Sequence, residues 1–277
     1  MSTTTTVKSP PQASTPAGGR PARRPWLSPK FLVGTAAVLT ALVAWQVVVL
    51  LEIKPRGVLP GPFDVLDEGV SMFQQASFWA DMGASFQELV IGLFFAVLVG
   101  LPLGLLIGWY RPVDWALSPF ITFLYATPRI AMTPLIIVFF GFGITPKVII
   151  VFLMSVFPIL INTAQGMHAL EQGVVRVAQC FGASDLQLFR TVALPGTVPF
   201  IAGGLRLAVG QALIGVYVAE LSGAQHGVGM MMNTAAQQYQ SSKIFVGLFV
   251  FAITGVALTA LLRRVEAHFA SWRPASH

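Results

Sequence analysis

Long apolar segments separated by short polar stretches make up most of this chain. A membrane-spanning helix needs about 20 mostly apolar residues, and six segments reach that length in whole or in part. They are residues 31–51, 85–109, 117–140, 144–164, 203–221 and 244–262. The fourth is the weakest, because its cleanest apolar run covers only residues 148–161 and contains Pro158. The pattern predicts an all-α integral membrane protein with about six transmembrane helices, and five are the alternative.

Composition supports the membrane class. The chain is 55% hydrophobic and 10% charged, whereas soluble domains carry about 25% charged residues. Residues 1–30 are instead rich in Ser, Thr, Pro and Gly, which predicts a disordered cytoplasmic tail. A signal peptide is the alternative. However, the apolar run that follows this tail exceeds the 7–15 residues of a signal sequence, so we expect the first helix, 31–51, to be retained.

The distribution of basic residues predicts the orientation. With the N-terminus inside, the cytoplasmic side receives eleven of them: Lys8, Arg20, Arg23, Arg24, Lys30, Arg111, Arg176, Arg190, Arg263, Arg264 and Arg273. The outer side receives four: Lys54, Arg56, Lys147 and Lys243. Cytoplasmic loops carry an excess of Lys and Arg. Both termini, the loop 166–199 and the tail 265–277 are therefore expected in the cytoplasm, and 52–84 outside the plasma membrane. Topology explains the net charge of +6, and no nucleic-acid partner is expected.

Residues that carry catalytic or cofactor chemistry are sparse. The four histidines, His168, His226, His268 and His277, lie in separate segments without metal-ligand spacing. The sequence contains no G-x-x-x-x-G-K-[ST] phosphate loop. The single Cys180 cannot form an intrachain disulfide, and a packing role is favoured over a redox role. We therefore expect neither an enzyme active site nor a cofactor.

The loop of residues 166–199 is mixed in polarity and lies between two membrane-length segments. Its helix-compatible residues predict two short helices broken at Gly182. The sequence Gly182-Ala183-Ser184 suits a tight turn, because Gly adopts positive φ at low cost and Ser caps a following helix. An ordinary interspan loop that ends a helix at a glycine is the alternative. A water-exposed helical hairpin would give a soluble partner a surface to bind.

The spacing in this loop resembles the EAA loop of ABC importer permeases, in which Glu-Ala-Ala is followed by Gly and, after nine residues, by Ile-x-Leu-Pro. The corresponding residues are Arg176, Val177, Ala178, Gly182, Val192, Leu194 and Pro195. Ala178, Gly182 and the Leu-Pro pair match, whereas Arg176 and Val177 depart from the pattern.

Further motifs from Leu59 onward have an order similar to that of the nitrate/taurine/alkanesulfonate branch of these permeases. They are Leu59-Pro60-x-Pro62, Ala126-Thr127-Pro128, Thr133-Pro134-Leu135, Phe139-Phe140-Gly141, Phe157-Pro158, Gly204-Leu205-Arg206 and Val218-Ala219-Glu220. Each motif alone is weak, but their combined order over roughly 200 residues is specific.

This resemblance implies a type-1 permease fold over residues 85–264, in a homodimer with the pathway at its two-fold axis. It also implies two separate cytoplasmic ATPase subunits and an extracytoplasmic solute-binding protein. The ATPase-coupling residues would be Arg176, Ala178, Gly182, Ala183, Ser184, Leu194 and Pro195, and the candidate pathway residues Arg129, Asn162 and Glu220. The solute would be small, often an anion such as nitrate, taurine or a sulfonate. An ion-coupled secondary transporter and a non-transporting membrane assembly subunit are the alternatives.

Charges inside the predicted helices carry their own expectations, because each costs free energy in lipid. Glu88 and Glu220 are expected near outer helix ends, where water or headgroups explain them. Arg129, near mid-membrane, has two interpretations. Its guanidinium packs against the Ile130 carbonyl that Pro134 frees, or it faces the dimer axis and binds a passing anion.

A stripe of small residues, Gly100, Gly104 and Gly108, lies in the second predicted helix. Such a stripe lets another helix approach closely in lipid. Packing within the subunit is favoured over a subunit interface.

Overall fold

The computed structural model of this protein describes residues 29–51, 58–170 and 172–269. The predicted N-terminal tail thus lies outside the described residues except at its last two positions. The helices are α1 (Pro29–Leu50), α2 (Pro62–Phe73), α3 (Ala76–Trp109), α4 (Arg111–Ala126), α5 (Thr133–Phe140), α6 (Ile144–His168), α7 (Gln172–Cys180), α8 (Asp185–Leu188), α9 (Leu194–Leu221), α10 (Val228–Gln237) and α11 (Ser241–Phe269). A 3-10 turn, Arg129–Met132, precedes α5, and a π turn, Phe189–Ala193, precedes α9.

Two compact units divide the chain, one ending at Leu51 and the other beginning at Glu52. The first unit contains α1, a single apolar helix. The second contains α2 to α11. Over the described ranges, five helices are long and apolar enough to cross a membrane, namely α1, α3, α6, α9 and α11.

Helix α6 lies at the centre of the second unit, between α3 and α9. Its closest contacts with α3 occur at glycines of α3: Gly92 meets Val151, and Gly108 meets Met167. Because the residue numbers of these contacting pairs increase together along both helices, α3 and α6 run parallel. Helix α9 runs antiparallel to α6, since its Gly204 lies against Pro158 whereas its later residues approach the start of α6.

The glycine stripe packs within the subunit. A Cβ at Gly100 would lie 3.0 Å from the Val156 carbonyl oxygen, and one at Gly104 would lie 2.7 Å from that of Leu160. Real Cβ atoms do not approach so closely without a shift of the neighbour. The stripe therefore allows α3 and α6 to pack backbone to backbone, as lipid-embedded helices with small residues do.

The predicted span over residues 117–140 is not one unbroken helix, although the two helical pieces counted together would make a sixth span. The structure has α4 and the segment from Arg129 to Phe140, which meet at an angle of 84°. The break falls at Thr127 and Pro128, both of extended conformation, because proline disfavours helix at the residue before it and removes an N–H. Because α3 and α6 run in the same direction, the chain that connects them has to cross back to the other end of the bundle. Helix α4 and the segment Arg129–Phe140 make this crossing.

Helix ends extend further than the apolar runs suggested. Helix α3 begins at Ala76 rather than residue 85, α9 begins at Leu194 rather than residue 203, and α11 continues to Phe269, into the predicted tail. The added turns are more polar than the helix centres, so a search for apolar runs does not detect them. The predicted outer segment 52–84 also contains α2, whose first turn is closed by a 2.8 Å hydrogen bond from the Gly61 N–H to the Asp64 carboxylate.

Candidate functional site

The loop of residues 166–199 forms two short helices, α7 and α8, joined by a turn at Gly182. Gly182 has φ of 78°, a left-handed conformation in which a side chain is strained. Ser184 caps α8, because its Oγ accepts the Gln187 N–H at 3.3 Å. The two short helices and the turn predicted from the sequence are thus confirmed, each for the stated physical reason.

The tip of this loop exposes large apolar side chains. Phe181 is 88% exposed, and Val177 and Leu186 are exposed on either side of the turn. Val177 and Phe181 lie outside the membrane-length helices, whereas Leu186 lies at the start of the stretch Asp185–Leu221, which is long and apolar enough to cross a membrane. Exposed apolar side chains grouped on a short hairpin are typical of an interaction surface.

The base of the loop, in contrast, is embedded in the helical bundle. Leu188, Ala193 and Thr197 are buried, and the Phe189 ring packs edge-on against Trp109 at the end of α3, with centroids 5.3 Å apart. Thr197 Oγ1 also donates to the Ala193 carbonyl at 2.8 Å. The base of the loop is therefore packed against α3 and continues directly into α9.

The coupling residues expected from the resemblance all lie in this loop or at the start of α9. Arg176, Gly182, Ser184 and Pro195 are exposed, whereas Ala178, Ala183 and Leu194 are half-buried. The sequence prediction named the turn but not the apolar residue beside it, Phe181. The available signal in the sequence was a phenylalanine directly before the turn glycine, in a loop predicted to face water.

A buried polar network lies at the opposite end of the bundle and involves Glu220. The Ser85 hydroxyl donates to Glu220 Oε1, and the Gly229 N–H donates to Oε2, each at 2.5 Å. The Ser85 oxygen in turn accepts the Val228 N–H at 2.9 Å. These bonds satisfy the free N–H groups at the start of α10, which a helix N-terminus requires. Glu220 thereby joins α9, α3 and α10.

A second carboxylate, Asp81, extends this network toward the surface. Its Oδ1 accepts the Gly227 N–H at 3.0 Å and lies 3.5 Å from His226 Nδ1. About two turns further along α3, Glu88 forms an ion pair with Lys147 of α6, with 2.6 Å between Oε1 and Nζ. Four helices, α3, α6, α9 and α10, are thus joined by polar side chains at this end.

The expectation that water or headgroups explain Glu88 and Glu220 is wrong. Glu88 is 2% exposed, and Glu220 is fully buried. Both face neighbouring helices: Glu88 Oε1 accepts from Lys147, and both oxygens of Glu220 accept hydrogen bonds, from Ser85 and Gly229. Position along a helix does not reveal which side of it faces the bundle.

Arg129 lies at the break between α4 and α5, where its Nη1 donates to the Met154 carbonyl at 3.3 Å. Its guanidinium also stacks over the rings of Tyr125 and Phe157, at 5.2 and 5.5 Å from the centroids. The Met154 carbonyl is the one that Pro158 frees, four residues later. The guanidinium therefore does pack against a carbonyl freed by a proline, as the first interpretation expected, but the proline is Pro158 of α6 and not Pro134.

The three candidate pathway residues do not form one site. The Asn162 side chain donates to the Pro158 carbonyl at 2.8 Å, within its own helix. Arg129 and Asn162 thus both lie near the Pro158 region of α6, while Glu220 belongs to the network at the helix ends. Their roles in transport stay predictions.

Comparison with known proteins decides the family. The model of the family described as binding-protein-dependent transport system inner membrane component matches residues 100–272. The chain belongs to this family. It is a permease subunit of an ABC importer and a multi-span inner-membrane protein, as the motifs predicted. Permeases of this family work with ATPase and binding-protein partners.

Individual relatives agree with this assignment. The permease is 32% identical over 245 residues to the taurine transport system permease protein TauC of Escherichia coli, covering 87% of this chain and 88% of that protein. It is 34% identical over 224 residues to a probable ABC transporter permease protein of Brucella abortus, covering 81% and 90%.

A solved structure supports the fold. The permease matches a chain of the inward-facing MetNI methionine ABC transporter with a TM-score of 0.55, at 18% identity, over 69% of this chain and 96% of that one. The predicted type-1 permease architecture is confirmed at the level of the fold.

Proposed function

We propose that this permease forms a homodimer that moves a small acid inward through a pathway at the two-fold axis. The loop 166–199 binds a separate cytoplasmic ATPase on each subunit, and the end of the bundle that holds Glu88 and Glu220 receives the solute from an outer binding protein. The observation that supports this arrangement best is the apolar tip around Phe181, exposed at its end and embedded at its base.

The placement of charges supports the orientation. Arg111 begins α4 directly after α3 ends, at the same end of the bundle as the loop, and Arg176 and Arg190 lie in the loop itself. Arg263 and Arg264 lie near the C-terminal end of α11, where Glu266 approaches Arg206 at 3.8 Å. A cluster of basic residues at one end matches the cytoplasmic side.

The relatives indicate the chemical class of the solute. The TauC relative is a permease for taurine, a molecule with a sulfonate group. We therefore infer a small organic solute with an acid group. Because the outer binding protein selects the solute before the permease meets it, purification of that partner with its ligand would identify the solute directly.

Substitution of Gly182 tests the coupling. Gly182→Asp places a negative charge beside the apolar tip, whereas Gly182→Asn has the same size and the same tolerance of the left-handed conformation without the charge. We expect the Asp variant to retain about a tenth or less of the ATPase that co-purifies with wild type, because a charge at a desolvated interface costs at least about 1.4 kcal/mol. The Asn variant should stay within about twofold of wild type.

The control in this experiment is the amount of permease in the membrane, which both variants should leave unchanged since no atom lies within 4 Å of a Cβ at Gly182. Solute uptake and ATP hydrolysis stimulated by the binding protein should fall with ATPase recovery. If the Asp variant keeps ATPase recovery and uptake, the loop is not the coupling element.

A further inference from the structure

Helix α2 exposes a stripe of large apolar side chains. The members of this apolar stripe are Phe63, Leu66, Val70 and Phe73, all of them exposed. Their alternating spacing of three and four residues places them on one side of the helix. Helix α2 has 12 residues and a length of about 18 Å, so it is too short to cross a hydrocarbon core of about 30 Å. The apolar stripe therefore does not belong to a spanning helix.

A second side of α2 packs against α11. Val65 and Met72 are buried, and a Cβ at Gly69 would lie 3.8 Å from the Val246 side chain. Val246 lies in the first two turns of α11, about 7.5 Å from the start of that helix. Because α2 leads directly into the start of α3, whose other end packs on the loop 166–199, α2 lies at the opposite end of the bundle.

The third side of α2 is polar. Its exposed residues are Asp64, Asp67, Ser71 and Gln74. At 3.6 residues per turn, the packed, apolar and polar positions each cover about a third of the circumference. Such a helix is matched by protein on one side, hydrocarbon on the second and water on the third. The surface of a membrane beside a helical bundle provides all three.

The apolar stripe continues into the exposed surface of α3. Trp79, in the first turn of α3, packs edge-on against Phe73 with ring centroids 5.5 Å apart. Its indole N–H donates to the Phe73 carbonyl at 2.9 Å, which satisfies one of the carbonyls left free at the end of a helix. Exposed apolar side chains then follow the same side of α3, at Phe86, Val90, Phe94 and Leu98. Tryptophan is enriched at membrane–water interfaces, and Trp79 lies where the membrane-length surface of α3 meets α2.

We propose that α2 is an interfacial helix whose apolar stripe is embedded in the outer leaflet, at the boundary between lipid headgroups and acyl chains. Helices of this kind insert their apolar side by about 5–10 Å, which agrees with the position of α2 along α11. Residues 62–73 contain no Lys or Arg. Burial of apolar area, and not attraction to anionic lipid, therefore holds the helix in place.

A soluble partner fits the apolar stripe less well than lipid does. Such a partner approaches from water, and the side of α2 that carries Asp64 and Asp67 is the one suited to water. The choice of the outer leaflet rests on the proposed orientation of the permease. The assignment of lipid to the apolar stripe does not.

The depth of α2 is tested on the full-length permease in phosphatidylcholine nanodiscs, with spin labels on single cysteines in a Cys180→Ser background. Collision with oxygen reports contact with lipid, and collision with a nickel chelate reports contact with water. Labels on Leu66→Cys and Val70→Cys should collide mainly with oxygen, whereas labels on Asp67→Cys and Ser71→Cys should collide mainly with nickel. The two pairs should differ in depth by about 10 Å, the diameter of a helix.

Each outcome at Leu66 and Val70 decides the proposal. Low collision with both reagents shows that protein covers the apolar stripe, either a second copy or another subunit, and overturns the proposal. Collision mainly with nickel shows that the stripe lies in water and also overturns it. Both side chains are exposed, so the labels replace no packed contact, and the amount of reconstituted permease is the control.

Lipid charge provides a second test. Nanodiscs of phosphatidylglycerol should give the same depths as those of phosphatidylcholine, because α2 has no basic residue to attract an anionic headgroup. Embedding that requires phosphatidylglycerol would overturn the proposed basis of binding. The measurement uses neither solute nor ATPase, and nanodiscs expose both membrane surfaces, so its failure leaves the coupling role of the loop and the orientation intact.

Discussion

Ser85 is the residue whose loss should damage the bundle most for its size. Its hydroxyl donates to Glu220 Oε1 at 2.5 Å and accepts the Val228 N–H at 2.9 Å. It is 7% exposed, and Glu220 is fully buried. Ser85→Ala removes one oxygen atom and leaves both partners without that bond, at a place that water does not reach.

The expected loss of unfolding free energy follows from these two hydrogen bonds. Loss of a hydrogen bond costs about 0.5–1.5 kcal/mol, and a buried backbone N–H left unpaired costs about 1–3 kcal/mol. Interhelical hydrogen bonds in membranes average nearer to about 0.6 kcal/mol, because the unfolded chain finds other partners. Since Ser85 bonds both Glu220, which joins three helices, and the Val228 N–H, we expect Ser85→Ala to lower the free energy of unfolding by about 2–4 kcal/mol.

The matched control is Ser155→Ala in α6. Ser155 is also buried, but its hydroxyl donates to the Val151 carbonyl of its own helix at 2.7 Å. That carbonyl also accepts a backbone N–H of the helix, so loss of the Ser155 hydroxyl leaves no polar group without a partner. Alanine also favours the helix. We expect a change below about 0.5 kcal/mol.

Reversible unfolding of the permease in mixed micelles, titrated with denaturing detergent, gives both free energies. The difference between the two variants isolates the network from the general effect of a Ser→Ala change. A difference below about 0.5 kcal/mol would show that Glu220 finds other donors and that the network does not hold α10 in place.

Two further predictions concern topology and the helix break. Cysteines introduced at Ser71 and Ser184, both exposed, in a Cys180→Ser background should react with an impermeant thiol reagent from opposite sides of the membrane; reaction of both in sealed right-side-out cells refutes the orientation. Arg129→Lys and Arg129→Gln should both lower thermal stability by about 1–3 kcal/mol, because neither reproduces the stacked guanidinium that bonds the Met154 carbonyl. Transport per inserted molecule should change little. Loss of transport in the Gln variant alone, at normal stability, would instead place Arg129 in an anion pathway.

Much of the architecture was predictable because membrane thickness constrains the chain locally. A helix that crosses lipid needs a fixed length of apolar sequence, so α1, α6 and α11 were visible as runs. The turn at Gly182 was also predictable, since a positive φ and a serine cap are properties of neighbouring residues. The family motifs, read together, gave the transport class.

The predictions that were wrong share one physical cause. The partner of a side chain depends on which helix packs opposite it. Arg129 was paired with a carbonyl near it in sequence, but the freed carbonyl that it reaches is 25 residues away, at Met154. Glu220 was placed in contact with water or headgroups, but the fold encloses it against Ser85, 135 residues earlier.

The sequence by itself thus determined the membrane class, the apolar helices, the exposed turn and the family. Only the tertiary structure decided that the bent pair α4–α5 returns between two parallel helices, and that Glu88 and Lys147 form an ion pair. Apolar length and turn chemistry are local properties that the lipid and the backbone impose on each segment separately. Pairing of buried charges is set by helix rotation and crossing, which depend on close packing at residues such as Gly104 throughout the bundle.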